Sequence, residues 1–238
     1  GAQRPPVFAP TPLARVAEPA ESLSIDRLRR AIARPHDIYL QETLGLRLPD
    51  EEPPLAEYEP FGAPAPLPRY ALRQQAFDAW LKTGERPDAA ALHARLLARA
   101  LVAPGADGRA SVETALDEVR PFALCALEAG FGAASESKPI EIAAGSRWLQ
   151  GALRDVRNGG ALRVALRPEG RHGGHALRHG IDRWLASLHG LPLYEIAAAN
   201  EKTAPTLRTH PPLPKAQAAA NLEALVALRE SALAAPLL

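Results

Sequence analysis

IEIAAGSRWLQGALRDVRNGGALRVALR, residues 140 to 167, decides how the rest of the chain is read. Trp148, Gln150 and Ala152 alternate with Leu149, Gly151 and Leu153. That is the period of two a strand imposes, because successive side chains leave opposite faces. Asn158-Gly159-Gly160 follows, and a tight hairpin needs positive φ, which Gly and Asn adopt at least cost. Leu162, Val164 and Leu166 then alternate with Arg163, Ala165 and Arg167. The stretch is predicted to be a short strand, a longer strand, a hairpin turn and a third strand.

Towards the C-terminus, a loop rich in Gly and His (170–175) leads into a helix with Leu177, Ile181, Trp184, Leu185 and Leu188 on one stripe, closed by Gly190. Tyr194 to Ala198 and Thr206 to Thr209 read as two more strands, and Ala218, Leu222, Leu225 and Val226 stripe a last helix. Towards the N-terminus the periodicity is helical throughout. A helix from Ser111 to about Ala129 keeps Val112, Leu116 and Val119 inward, and Pro121 is expected to kink or split it. Leu92, Leu96, Leu97 and Leu101 mark another. Tyr70 to Leu81 sets Leu72, Ala76 and Trp80 in one row and Tyr70, Phe77 and Leu81 in the next. Ser24 caps an earlier helix with Ile25, Leu28 and Ile32 inward and Leu23 stapled against Leu28. Pro35 stops it, and His36 to Leu44 forms a second short helix ending at Gly45.

Proline decides the rest. Residues 1–21 hold Pro5, Pro6, Pro10, Pro12 and Pro19 and read as an extended arm, and Leu48 to Pro68 is too rich in proline for regular structure. Residues 22–238 are expected to be one domain, mainly helical over 22–130 with the sheet-containing core over 131–238. The class is α/β (α+β), a layered sheet and helices.

Composition narrows the chemistry. The chain has 238 residues, 47% hydrophobic and 23% charged, as a soluble globular protein would. Its one cysteine, Cys125, allows no internal disulfide and no cysteine-based metal site, and reads as a small core residue. That single cysteine fits a reducing cytosol, so a cytoplasmic location is expected, and no apolar run reaches the length of a membrane span. The first residue is Gly1 and no signal-peptide core follows, so the chain is expected to be a piece of a longer protein. The net charge of +1 conceals two biased segments. Glu42, Asp50, Glu51, Glu52, Glu57 and Glu59 face only Arg47 between residues 41 and 60, a candidate docking surface. Residues 147–183 carry the reverse bias, and Arg157, Arg163, Arg167 and Arg171 are candidates for a phosphate-facing or partner-facing patch.

LSIDRLRRAIARPHDIYLQETLGLRLPDEE followed by PLPRYALRQQAFDAWL resembles the C-terminal part of RecC, the gamma chain of exodeoxyribonuclease V. WLQGALRDV, ALRVALRP, GIDRWLASLHG and SALAAPLL keep the same order. The resemblance covers about residues 22 to 238 and is most specific over Leu67 to Leu81. It implies a restriction-endonuclease-like (PD-(D/E)XK-type) central mixed sheet flanked by helices, with an N-terminal helical portion. It also implies RecB and RecD as partner subunits, DNA contact within that complex, and no membrane. Chi recognition, in that family, belongs to helicase-like parts that this chain lacks.

Nucleases of that fold place an acid on the second strand in a Gly-x-x-Asp pattern and an Asp/Glu-x-Lys pair on the third, so that carboxylates hold the divalent cation that activates water. Here Gly151 opens the pattern but Arg154 stands in the acid's place, and Leu166 and Pro168 stand where the third strand should carry its pair. Asp155 is one residue late, which in a regular strand turns it to the other face. The expectation is therefore a domain with no catalytic residue, no metal and no cofactor of its own. A metal-dependent nuclease with a relocated site is the alternative. Glu136-Ser137-Lys138 spells acid-x-Lys but is expected in a loop before the meander, and Asp37, Asp155 and Glu169 are a second weak combination. His172, His175 and His179 are expected to be surface histidines at a helix start, and Trp148 and Trp184 to be core residues rather than base-stacking ones.

Overall fold

A computed structural model describes residues 22–46, 66–167, 173–200 and 202–234. The expected arm at 1–21 and most of the proline-rich loop lie outside the described residues. Among the described residues six strands form one mixed sheet: β1 (Ser22–Ser24), β2 (Glu136–Ala144), β3 (Arg147–Arg157), β4 (Gly160–Ala165), β5 (Leu193–Ala197) and β6 (Thr206–His210). The meander is present. β2 and β4 both run antiparallel to β3, β5 runs parallel to β4, and β6 closes antiparallel to β5. Asn158 and Gly159, at φ 46° and 73°, make the two-residue turn between β3 and β4. Both residues need positive φ for the turn to match the strands' twist.

Helices cover the sheet from both sides. α3 (Pro66–Thr83), α4 (Ala89–Leu97) and α5 (Gly105–Glu128) pack Leu72, Phe77, Trp80, Leu116 and Phe122 against Leu162, Leu166 and Ile196 of the sheet. On the other side α1 (Ile25–Ala33), α6 (Gly173–Leu188) and α7 (Lys215–Ala234) bury Ile25, Leu28, Ile181, Leu185 and Leu222 against Leu149, Leu153 and Val156. Ser24 caps α1 as expected, its Oγ accepting from the Arg27 amide at 3.1 Å. α2 (Pro35–Ile38) runs into a π-helical turn over Tyr39–Thr43.

Several local expectations change. α3 begins at Pro66, inside the stretch expected to be irregular; proline is tolerated in a helix's first turn, where its missing N–H has no partner to lose. α5 begins at Gly105 and continues unbroken past Pro121. α4 ends at Leu97, leaving Leu97 and Leu101 exposed, so only Leu92 and Leu96 of that stripe are core. Ser22–Ser24 adds a strand parallel to β3 that periodicity did not reveal.

A clamp holds α3 on α5. Arg73, itself buried, donates through Nε to Glu118 Oε2 at 2.6 Å, and Arg69 donates to Oε1. Burial would raise the Glu118 carboxyl, but the bonds from Arg73 and Arg69 outweigh it and hold the group below the ordinary carboxylate range. A carboxyl depressed in the folded state contributes stability above its unfolded pKa and loses it as pH falls through the folded value. Glu118→Gln is therefore expected to lower the urea midpoint at pH 7 by an amount that shrinks as the pH falls through and below the carboxylate range. A midpoint difference that stays constant down to acid pH would refute the clamp.

Candidate functional site: the gap beside strand β3

One edge of β3 is paired to β2 along its length, while the other is shared by two strands. β1 pairs through Ser24 opposite Gln150, and β4 joins only at Val156 and Arg157. Between them, residues 151–155 meet no strand on that edge among the described residues. The opening is a cleft of about 180 Å³ beneath α1 and α6, lined by Gly151, Arg154, Arg163, Asp182, Arg29 and Asp26 among others. Gly151 allows a close approach to α1, since a Cβ there would lie 2.9 Å from Ile25 Cδ1 and 3.3 Å from its Cβ.

A β-bulge shapes the far side of the gap. Lys138 faces Leu153 but Glu136 faces Val156, so β3 holds one extra residue, and Asp155 takes it up at φ 56°. Leu153 and Val156 thereby both point inward. The bulge also corrects the simple parity argument for Asp155. Its carboxylate leaves the first cleft altogether and lines a second one of about 200 Å³ with Asp78, Arg157, Arg178 and His179. There Asp78 is raised above its ordinary value, first by partial burial and then by the Asp155 charge, against the Gln74 hydrogen bond and Arg157.

The first cleft is organised by Asp182, which is 1% exposed. It accepts from both Arg29 and Arg163. Arg163 Nη1 also donates to the Arg154 carbonyl at 2.9 Å, bridging the strands where they part. Arg29 reaches Asp26 at 2.9 Å, and its buried Nε–H has no acceptor among the described residues. These residues do not fit a divalent cation. Arg29, Arg154 and Arg163 all line the cleft, and its buried acid is already neutralised by two guanidinium groups. Leu166 is core and Pro168 lies outside the described residues. Among the described residues no three His, Cys, Asp or Glu side chains gather as metal ligands.

Sequence-predicted site residues are placed unevenly. Arg157 donates to the Ala133 carbonyl at 3.1 Å and lies 3.4 Å from Asp155, and Arg163 is held as above. Arg167 is half-buried just past β4, and Arg171 lies outside the described residues. Glu136 and Lys138 belong to strand β2 rather than a loop, and pair with each other at 2.7 Å. Asp37 is bound up with His36 at 3.1 Å, and Glu169 lies outside the described residues. His179 is not a surface residue: it is buried, with Nδ1 2.6 Å from Glu195, which His210 also approaches at 3.2 Å. Glu42 is internal too, accepting from Arg27 at 2.8 Å and Arg229 at 2.5 Å; the acids from Asp50 onward lie outside the described residues. Cys125 is half-buried on α5, its thiol raised first by burial. Trp184 is half-buried as part of the core, but Trp148 is 46% exposed.

Sequence reasoning missed Arg29 and Asp182 as a pair. They stand 153 positions apart, so no local spacing joins them. Among the described residues no helix is long and apolar enough to cross a membrane. No curated protein matches the chain. A family model described as the RecC C-terminal domain matches residues 20–238, nearly the whole sequence, and the chain belongs to that family.

Proposed function

We propose that this is a non-catalytic interaction domain of a RecC subunit, cytoplasmic, which supports assembly with RecB and RecD and guides DNA strands in double-strand break repair. The observation that carries the reading is the inverted charge of the gap beside β3. Where a nuclease of the restriction-endonuclease-like fold would gather carboxylates, this chain sets Arg29, Arg154 and Arg163 against two acids, Asp182 and Asp26, both already paired to arginine. The order of elements supports that fold: a helix, an antiparallel meander of β2, β3 and β4, then α6 and a strand parallel to β4. In this reading Arg167 and Arg171, with Arg157, meet DNA phosphate or a partner subunit, and the acids of residues 41–60, Glu42 excepted, form a docking surface.

The test is co-purification of RecB and RecD with a full-length RecC subunit from which the domain corresponding to residues 20–238 of this chain has been removed. RecD is expected to be lost, and its full retention would sink the assembly role. One observation favours the alternative of a relocated nuclease site: Asp155, strained into positive φ, shares a cleft with Asp78. Cleavage of linear DNA by the chain with magnesium or manganese, abolished by Asp155→Asn, would establish it.

A further inference from the structure

The outer face of the β-ribbon is open. Leu149 and Leu153 turn into the core, so Trp148, Gln150, Ala152 and Arg154 share the opposite face of β3. Register adds Ala143 beside Trp148, Glu141 beside Gln150 and Pro139 beside Ala152 from β2, with Ser22 and Ser24 of β1 on the other flank. Trp148 is 46% exposed, an uncommon position for the largest apolar side chain, and among the described residues no helix covers this face. Arg154, six residues along the strand and so about 20 Å away, is exposed at the mouth of the first cleft, and no described side chain pairs with it.

We infer that this face is a binding site for single-stranded DNA, with Trp148 stacking on a base and Arg154 holding a backbone phosphate over the gap. The inference rests on the DNA-guiding part of the function proposed above and names its surface. An exposed aromatic and a guanidinium along one open sheet face are the two elements sequence-independent single-strand binding requires. The cleft, about 180 Å³, has the liquid volume of about six waters. That is room for a phosphodiester and part of its hydration. Glu141 is the one acid in register on this face, and it opposes the ligand.

The full chain is titrated with fluorescein-labelled oligothymidylate over a range of salt concentrations. Trp148→Ala and Arg154→Ala are each expected to weaken binding by about tenfold. Trp148→Phe is expected to restore most of the loss, because any aromatic ring stacks. Arg154→Ala should also lower the slope of log affinity against log salt by about 1. Glu141→Gln should tighten binding, and Arg95→Ala, exposed on α4 far from the face, should leave it unchanged. All these side chains are at the surface, so unfolding midpoints should hold. No measurable binding by the unaltered chain, or unchanged affinity in both alanine variants, overturns the site. So does equal competition by oligoglutamate, or shielding of Trp148 from acrylamide by partner subunits without DNA, which would make the face a protein interface. None of these outcomes touches the loss of RecD on deletion, which tests the assembly role separately.

Discussion

Asp182→Ala is expected to destabilise the chain by about 3–5 kcal/mol, the cost of breaking a buried ion pair from one side. The side chains of Asp182, Arg163 and Arg29 are 2%, 13% and 24% exposed, so water does little to screen them. Alanine would leave two guanidinium groups facing each other across the gap. A buried lysine could escape by losing its proton, but arginine cannot. The acid also joins three elements, since Arg29 lies on α1, Arg163 on β4 and Asp182 on α6. Its loss should appear in the approach of α1 and α6 to the sheet as well as in overall stability. Removing all three charges together, as Asp182→Leu with Arg29→Met and Arg163→Met, should recover much of the loss, because a well-packed apolar cluster often matches a buried ion cluster. Urea unfolding followed by circular dichroism measures both. With a slope of about 1–3 kcal/mol per molar urea, the single variant's midpoint should fall by more than about 1 M. A midpoint within error of the parent's would mean the cluster is solvated and carries no weight.

That cluster also shows where sequence reading stops. Alternation in residues 140–167 was enough to locate the meander, its turn and the crossover helix that follows, because strand parity and turn chemistry are local properties. The same alternation defines two faces of β3 without saying which is buried. Placing Trp148 on the inward stripe fails, because Leu149 and Leu153 hold the core and the tryptophan lies on the opposite, exposed face. The three-residue strand β1 is too short to show a period, and its pairing to Trp148–Gln150 depends on chain more than a hundred residues away. A bulge created by one residue in the left-handed region moved Asp155 to a different cleft, and nothing in Leu-Arg-Asp-Val announces it. That the pattern opened by Gly151 carries arginine at 154 was legible, because the residue at one place in a short motif is a local fact. Arg163 bridging the parted strands was not.

Gly160→Val should prove nearly as damaging, at about 3 kcal/mol, the upper end of the usual cost of overpacking. A Cβ at Gly160 would lie 2.3 Å from Tyr194 Cε2 and 2.9 Å from the Pro192 carbonyl oxygen. Neither obstacle can yield cheaply. The Tyr194 ring sits edge-on against Phe131, centroids 5.1 Å apart, and Phe131 is buried where α5 gives way to the sheet. The Pro192 carbonyl accepts the Ala161 amide at 3.0 Å, the first bond joining β4 to the approach of β5. A side chain here therefore forces apart the two parallel strands at the point where the meander meets the rest of the sheet. Gly160→Ala should cost less, since one methyl asks the ring to move by less. The decisive measurement is a double-mutant cycle with Tyr194→Ala. If the ring is the obstacle, Tyr194→Ala should absorb much of the Gly160→Val loss, giving a favourable coupling of at least about 1 kcal/mol. Strict additivity would place the strain on the Pro192 carbonyl instead. A Gly160→Val chain as stable as its parent would show that β4 and β5 do not pass this closely.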